Sequence, residues 1–492
     1  DNGSLIQNNV TECGILNTSN AVYTLQNNVT SNGTCFSIAA NNITLDGQGF
    51  MINYSANGSL GYGINITGIR NASIMNLIIV QGSSVSNNPG IVVYSSNYSR
   101  VFNSSISTYG GGSYGLSLTN AYSNTLLNIS INTTGASAYG ISISSSSLNN
   151  FSCINMSVLG SSNRGALFIS SGFNNSLSEL NIFANATASY LQSGNSNVLH
   201  NVSIVTIGSS GIGVRVWSSS YNILSEFSIN TFGSGSTGFT IDSTSISNNI
   251  SNSSVITYNS SSDGIYLSQS NSNIFSNISI ITMDSLSKGV FISSSSANVF
   301  SYLNINATNS TDVYISPTVN SNCNNSMDGT NTVSGKPLNY TIGSRGMIIN
   351  GLNYTQSGQY IFAYATNISI TNNNFAKNSL IFCFSNNSII SNNTIISSDN
   401  PLYLFNTTSS NISSILLGSL SSNAYGAYLY YSNSNIFSNI SIFTNGSTAY
   451  GAYLYYSNTN TFSNISISTN GSTAYGMYIR NSNLSRISNV TI

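Results

Sequence analysis

Apolar residues alternate with Ser, Thr and Asn in short runs throughout the chain, as in Ile440-Ser441-Ile442, and the runs are rich in β-branched and aromatic side chains. A period of two predicts short β-strands with one buried face, and the 3.6-residue leucine spacing of a helical repeat is absent. A small residue opens many of these runs: Gly90 (GIVVY), Gly115 (GLSL), Gly140 (GISI), Gly165 (GALFI), Gly213 (GVRVW), Gly238 (GFTI), Gly264 (GIYL), Gly289 (GVFI), Gly426, Gly451 and Gly476. Most steps are about 25 residues, a period that belongs to solenoids. The pattern is plainest near the end, where "AYGAYLYYSNSNIFSNISIFTNGST" from Ala424 returns as "AYGAYLYYSNTNTFSNISISTNGST" from Ala449 and starts again at Ala474.

If one repeat is one turn of a parallel β-coil, equivalent residues stack along the axis. An Asn follows the repeat glycine by nine residues, or by ten in the Gly165 unit: Asn124, Asn149, Asn175, Asn222, Asn273, Asn298, Asn435 and Asn460. Their side-chain amides are expected to hydrogen-bond from coil to coil as a ladder. Tyr425, Tyr450 and Tyr475 stack by the same logic, as do Tyr428, Tyr453 and Tyr478. The period breaks between residues 316 and 360, where "SPTVNSNCNNSMDGTNTVSGKPLNY" collects Pro, Gly and Asn. The expected organisation is an N-terminal cap and coils over 1–316, an irregular excursion over 317–359, and continuing coils over 360–492.

Two stretches carry a family resemblance. "CFSIAANNITLDGQGF" (Cys35 to Phe50) resembles the opening coil of right-handed parallel β-helix repeat proteins of the NosD-like, carbohydrate-binding and sugar-hydrolase class. "SGKPLNYTI", followed by "GQYIFAYATNISITNNNF", resembles a mid-helix segment of the same class. The resemblance implies an all-β, right-handed parallel β-helix; with strands about 4.8 Å apart, roughly 19 coils would make a rod on the order of 90 Å long. It implies no single activity, because the class includes pectinolytic enzymes, phage tailspikes and cell-surface proteins.

Only 4% of the 492 residues are charged, against about 25% in an ordinary soluble protein. With 40% hydrophobic and 11% aromatic residues the chain is too apolar for a disordered tract. A net charge of −1 offers no basic patch, so nucleic acid is excluded as a partner. No apolar run is long enough for a membrane span, and the start "DNGSLIQNNV" has no signal-peptide pattern, so a leader is expected to have been removed. "RISNVTI" stops within a repeat, so the native chain is expected to continue past Ile492, leaving room for an anchor there.

Asn-X-Ser/Thr sequons number roughly 39 against roughly 23 expected from composition, an excess below twofold. Simple strand alternation supplies part of it, because Asn-Ile-Ser buries Ile and exposes the other two. Expected N-glycan acceptors are Asn57, Asn97, Asn132, Asn185, Asn259, Asn277, Asn306, Asn353, Asn406, Asn439, Asn445, Asn464 and Asn470. Glycans would hydrate a surface that lacks charge, although Asn439 and Asn464 share one column and would crowd each other.

Eleven acidic residues leave few catalytic groupings to weigh. Glu179 and Glu226 fall in one outward column two coils apart, roughly 10 Å, with Asn201 between them, and are the best pair for glycoside chemistry. Two isolated surface acids are the plainer reading, since no further carboxylate accompanies them. Asp263 and Lys288 each precede a repeat glycine and suggest an exposed cross-coil ion pair. The single His, His200, lies two residues before Val202 on the inward side, with no Cys or Met set for a soft metal. No cofactor is expected. Of five Cys, Cys13 and Cys35 lie about one coil apart and are expected to pair in an oxidising compartment; Cys153 reads as a buried strand thiol, and Cys323 and Cys383 are candidates to bridge the excursion.

The sum is an extracellular, N-glycosylated structural β-helix without catalysis: a stalk, adhesin, surface-layer or filament subunit. Its expected partners are its own glycans and either further copies of itself, paired through open coil ends, or surface polysaccharide. The alternatives are a carbohydrate-binding β-helix, with sugars stacking on the Tyr428, Tyr453 and Tyr478 column, and a polysaccharide lyase or glycoside hydrolase using Glu179 and Glu226. Self-stacking of the tyrosines is the simpler account of their recurrence. With so few titratable groups, stability is expected to vary little between mild acid and neutral pH.

Overall fold

The computed structural model describes residues 6–160, 165–284, 286–353, 356 and 358–492. They fall into two compact units, Asp1–Val255 and Ile256–Ile492. The protein is an all-β parallel solenoid with coils of about 25 residues.

In the first unit, four-residue strands at Ile64–Thr67, Ile91–Tyr94, Leu116–Thr119, Ile141–Ser144, Leu167–Ser170, Ser189–Gln192, Val214–Trp217 and Phe239–Asp242 pair in parallel, each with the next. A companion sheet is built from nine-residue strands, Arg100–Thr108, Thr125–Thr133, Asn150–Val158, Ser176–Ala184, Val198–Thr206 and Ile223–Thr231. Alternation buries Ile, Leu and Phe from both sheets, and Phe151, Phe227 and Phe239 are among the largest fully buried side chains. The repeat glycine marks a close approach. A Cβ on Gly115 would lie 2.3 Å from Ile131 Cγ2 and 2.7 Å from the Gly140 carbonyl.

Two coils escape the glycine pattern. Ser189–Gln192 is a full rung whose small residue is Ala188, and the coil before it is keyed by Ala166 rather than Gly165. The interior asparagines make the expected contacts visible as geometry: Asn124 Nδ2 donates to Asn149 Oδ1 at 3.0 Å, Asn149 to Asn175 at 3.0 Å, and Asn175 to Asn197 at 3.0 Å. Each acceptor oxygen also takes a backbone N–H, as Asn149 Oδ1 does from Asn124 at 2.9 Å. Asn197 and Asn248 belong to the series, continuing through Asn222; Asn197 was hidden because its coil has Ala188 in place of the key glycine, and Asn248 because it follows Gly238 by ten residues rather than nine.

The second unit continues the scheme. Ile265–Ser268, Val290–Ser293 and Val313–Ser316 pair in parallel, beside Ile274–Thr282 with Val299–Ala307. Asn273, Asn298 and Asn325 form one ladder here and Asn435 with Asn460 another. A short antiparallel pairing of Thr332–Val333 with Lys336–Ile342 follows, and parallel pairing resumes at Leu338 against Gln359. The coils that follow are shorter, 20 residues between Asn373 and Asn393, before the 25-residue step returns at Leu402 to Ala427. At the break the Gln359 side chain pairs with the Val313 backbone in both directions, as acceptor at 2.9 Å and donor at 2.6 Å. Cys323, in a 3₁₀ turn at Asn320–Cys323, is disulfide-bonded to Cys383.

Candidate functional site

Each long strand of the first unit is broken in its middle by one residue in the left-handed region: Asn103 (φ 49°), Asn128 (52°), Cys153 (56°), Glu179 (56°), Asn201 (54°) and Glu226 (58°). An L-residue there costs about 1–2 kcal/mol, least for Asn, whose short amide bonds locally. That explains why Asn recurs at the bend. It also breaks the alternation, so two successive side chains face outward. The registers place Glu179 opposite Asn201, and Asn201 opposite Glu226, on successive coils.

Beside this bend column runs a groove. Its larger part, of about 580 Å³, is lined by Gln48, Asn76, Asn103, Ser105, Asn128 and Asn155. A continuation of about 310 Å³ shares Ser130 and Asn155 and reaches Asn181, Phe183 and Ser203. The lining is amide, hydroxyl and apolar, including Phe183, without a charged side chain. Exposed Asn amides are tied to one another along it: Asn128 Nδ2 donates to Asn103 Oδ1 at 2.9 Å, and Asn181 to Asn155 at 2.9 Å. Sequence reasoning missed this groove, because its concavity comes from the backbone bend, and Asn103, Asn128 and Asn155 stand in sequons like many other asparagines of the chain.

At three of the next bend positions the favoured Asn is replaced. Cys153 is half-buried at the bend, not a buried strand thiol, and its Sγ donates to Glu179 Oε2 at 2.6 Å. Glu226 Oε2 lies 3.5 Å from His200 Nε2, whose Nδ1 bonds Ser225 Oγ at 3.0 Å. His200 therefore faces outward, about half exposed, because the left-handed Asn201 resets the alternation before Val202. Each glutamate thus has its own neighbour, and among the described residues no group of three His, Cys, Asp or Glu is placed to hold a metal.

No protein-family model matches the chain, and no curated protein matches it. Solved structures do show a likeness. One is the ORF18 protein of Geobacillus virus E2, 14% identical, with a TM-score of 0.38 over 48% of this chain and 49% of that one. Another is a tailspike protein of E. coli bacteriophage HK620 in complex with a pentasaccharide, 11% identical, with a TM-score of 0.36 over 80% of this chain and 69% of that one. A third is the DFA-IIIase of Arthrobacter chlorophenolicus A6, 10% identical, with a TM-score of 0.31 over 61% and 75%. The likeness is one of fold. The chain spans about half the length of the first of these proteins.

The tyrosines of the second unit lie over one another. Ring centroids are 4.8 Å apart for Tyr403 and Tyr428, 5.3 Å for Tyr428 and Tyr453, and 5.3 Å for Tyr453 and Tyr478. Faces packed against faces leave mainly edges and hydroxyls for solvent, so face-on stacking of sugar rings along this column has no room. The expected ion pair of Asp263 and Lys288 is also rearranged. Lys288 offers its backbone N–H to Asp263 Oδ1 at 2.7 Å, while its Nζ turns to Asp399 Oδ2 at 2.8 Å.

Cys13 and Cys35 are disulfide-bonded, with Cα atoms 4.6 Å apart. Asn57, Asn132, Asn259, Asn277, Asn306, Asn353, Asn406, Asn439, Asn445, Asn464 and Asn470 are exposed, and Asn97 and Asn185 half-buried. Several are already bonded: Asn464 Nδ2 donates to Asn439 Oδ1 at 3.0 Å, and Asn470 Nδ2 to Asn445 Oδ1 at 3.1 Å. No helix among the described residues is long and apolar enough to cross a membrane.

Proposed function

We propose that this solenoid is an extracellular protein that binds a neutral polysaccharide along the groove of its first unit. The observation that carries the reading is the uncharged, amide-lined groove beside the bend column. Asn and Ser side chains offer both donors and acceptors at coil spacing, which suits the paired donor-acceptor character of sugar hydroxyls. An acidic polymer would find no cation in this lining. The test is a panel of neutral and acidic glycans followed by calorimetry on the hits. Asn103→Ala together with Asn128→Ala should weaken binding of a neutral glycan at least tenfold; unchanged affinity, or selective binding of acidic glycans, overturns the reading.

A hydrolytic reading has one observation of its own: the chain places Cys153, Glu179 and Glu226 where Asn would fold more easily, and strain of this kind gathers at functional sites. Any depolymerising activity that survives Glu179→Gln and Glu226→Gln removes it. The extracellular glycoprotein reading draws on the exposed sequon asparagines and on the two disulfides. A native mass at the bare polypeptide value of 52.0 kDa would exclude the glycan coat.

A further inference from the structure

The chain has three lysines, Lys288, Lys336 and Lys377, and two of them are turned into the second unit against aspartates. Both contacts tie the coils before the break in the repeat to those after it. Lys377 Nζ lies 3.3 Å from the fully buried Asp312, which is held by several further donors, including the Ala307 N–H and Asn378 Nδ2. The Lys288 contact is different. Its Nζ is 2.8 Å from Asp399 Oδ2, with the two side chains only 16% and 12% exposed, yet that oxygen receives no hydrogen bond of good geometry. The Tyr314 ring centroid lies 5.6 Å from Nζ, and Tyr314 is in turn stacked on the buried Tyr403. A close, poorly hydrogen-bonded ion pair under an aromatic roof is weak as a stabilising device.

We propose that Lys288 and Asp399 are joined by an intramolecular isopeptide bond. The step begins with transfer of one proton from Nζ to the carboxylate it touches, which gives a neutral amine facing a carboxylic acid. The amine nitrogen attacks Cγ, a C–N bond forms, the C–OH bond breaks, and one oxygen departs with two hydrogens as water. No electron is gained or lost and no co-reactant is needed. Fixing the two groups in contact supplies what an open solution lacks, since effective molarities of held reactants reach about 10⁵–10⁸ M. Asp263 acts as a positioning residue: its carboxylate accepts the Lys288 backbone N–H at 2.7 Å and fixes the stem from which Nζ reaches. The bond would fasten the coil stack where the regular ladder is interrupted and where Gln359 replaces a backbone rung.

The test is peptide mapping of the reduced and alkylated native protein by tandem mass spectrometry. The expected result is a branched peptide joining the segments that contain Lys288 and Asp399, one water lighter than their sum and resistant to reductant and boiling. Linear peptides carrying unmodified Lys288 and unmodified Asp399 as the only forms overturn the proposal, and this readout needs no variant. Lys288→Arg, which keeps the charge but supplies no amine nucleophile, should lose the branched peptide. A branched peptide persisting in that variant would equally overturn the assignment.

Discussion

A residue held in the left-handed region in every coil sets where this molecule has shape. Among residues with a side chain Asn adopts this backbone at the least cost, and it stands there as Asn103, Asn128 and Asn201. Glu179 and Glu226 adopt the same φ without that relief. Replacing Glu179 by Asn is therefore expected to stabilise the fold by about 1 kcal/mol, seen as a higher urea midpoint at constant slope. A lower midpoint would show that the Cys153 thiol contact outweighs the backbone term. At the interior ladder the sign reverses. Asn149→Ala strands the buried backbone N–H of Asn124 and one of its two Nδ2 hydrogens, the other remaining on the Ser96 carbonyl at 3.1 Å, at about 1–3 kcal/mol for each lost bond. A loss of about 3 kcal/mol in unfolding free energy is expected; a change below 1 kcal/mol would mean water replaces the amide.

At the scale of the coil, what decides the packing is how closely successive turns approach. A Cβ on Gly426 would meet Ile442 Cγ2 at 2.2 Å and the Gly451 carbonyl at 2.6 Å, both fixed by neighbouring rungs. Gly426→Ala should cost about 2–3 kcal/mol through forced separation of coils, read as a drop in melting temperature, and an unchanged melt would deny the close approach. This closeness is why the repeat was legible from glycine and alternation alone. The same key concealed the coil at Ala188, where a methyl is accommodated, and the 20-residue coils near Asn373, which do not keep the period. The groove was not legible, because no residue type announces a concave bend: Asn128 belongs to the bend column yet reads as one more sequon. Stacking of the tyrosines was legible; that it turns their faces inward on one another required the ring geometry.

For the molecule as a whole, scarcity of charge does not mean indifference to pH. Burial pushes the Asp263 carboxyl up to about 6, against an opposing pull from the Lys288 backbone N–H, and burial likewise raises Asp242 and Asp312. In the unfolded chain these groups titrate near 3.9. Between about pH 4 and 6 the folded state thus holds more protons than the unfolded one, so stability falls as pH rises through that window. Melting at pH 5 is expected above melting at pH 7.5, with Asp263 contributing on the order of 2 kcal/mol, and Asp263→Asn should flatten the difference. This replaces the flat profile expected from composition, which counted titratable groups without their burial. A protein more stable at pH 7.5 would contradict it.

The near-identity of the coils that begin at Ala424 and Ala449 reaches beyond folding. Each presents the same surface to the turn above as its neighbour presents below, with the ladder step fixed at 25 residues. A gene that encodes such turns contains tandem DNA of matching length, where a replicating strand can slip and re-anneal one unit out of place. Adding or deleting one unit would return a chain whose remaining contacts are all unchanged. Length in this region is then an inheritable variable that moves in whole turns, and strains of one lineage are expected to differ by such steps rather than by single residues.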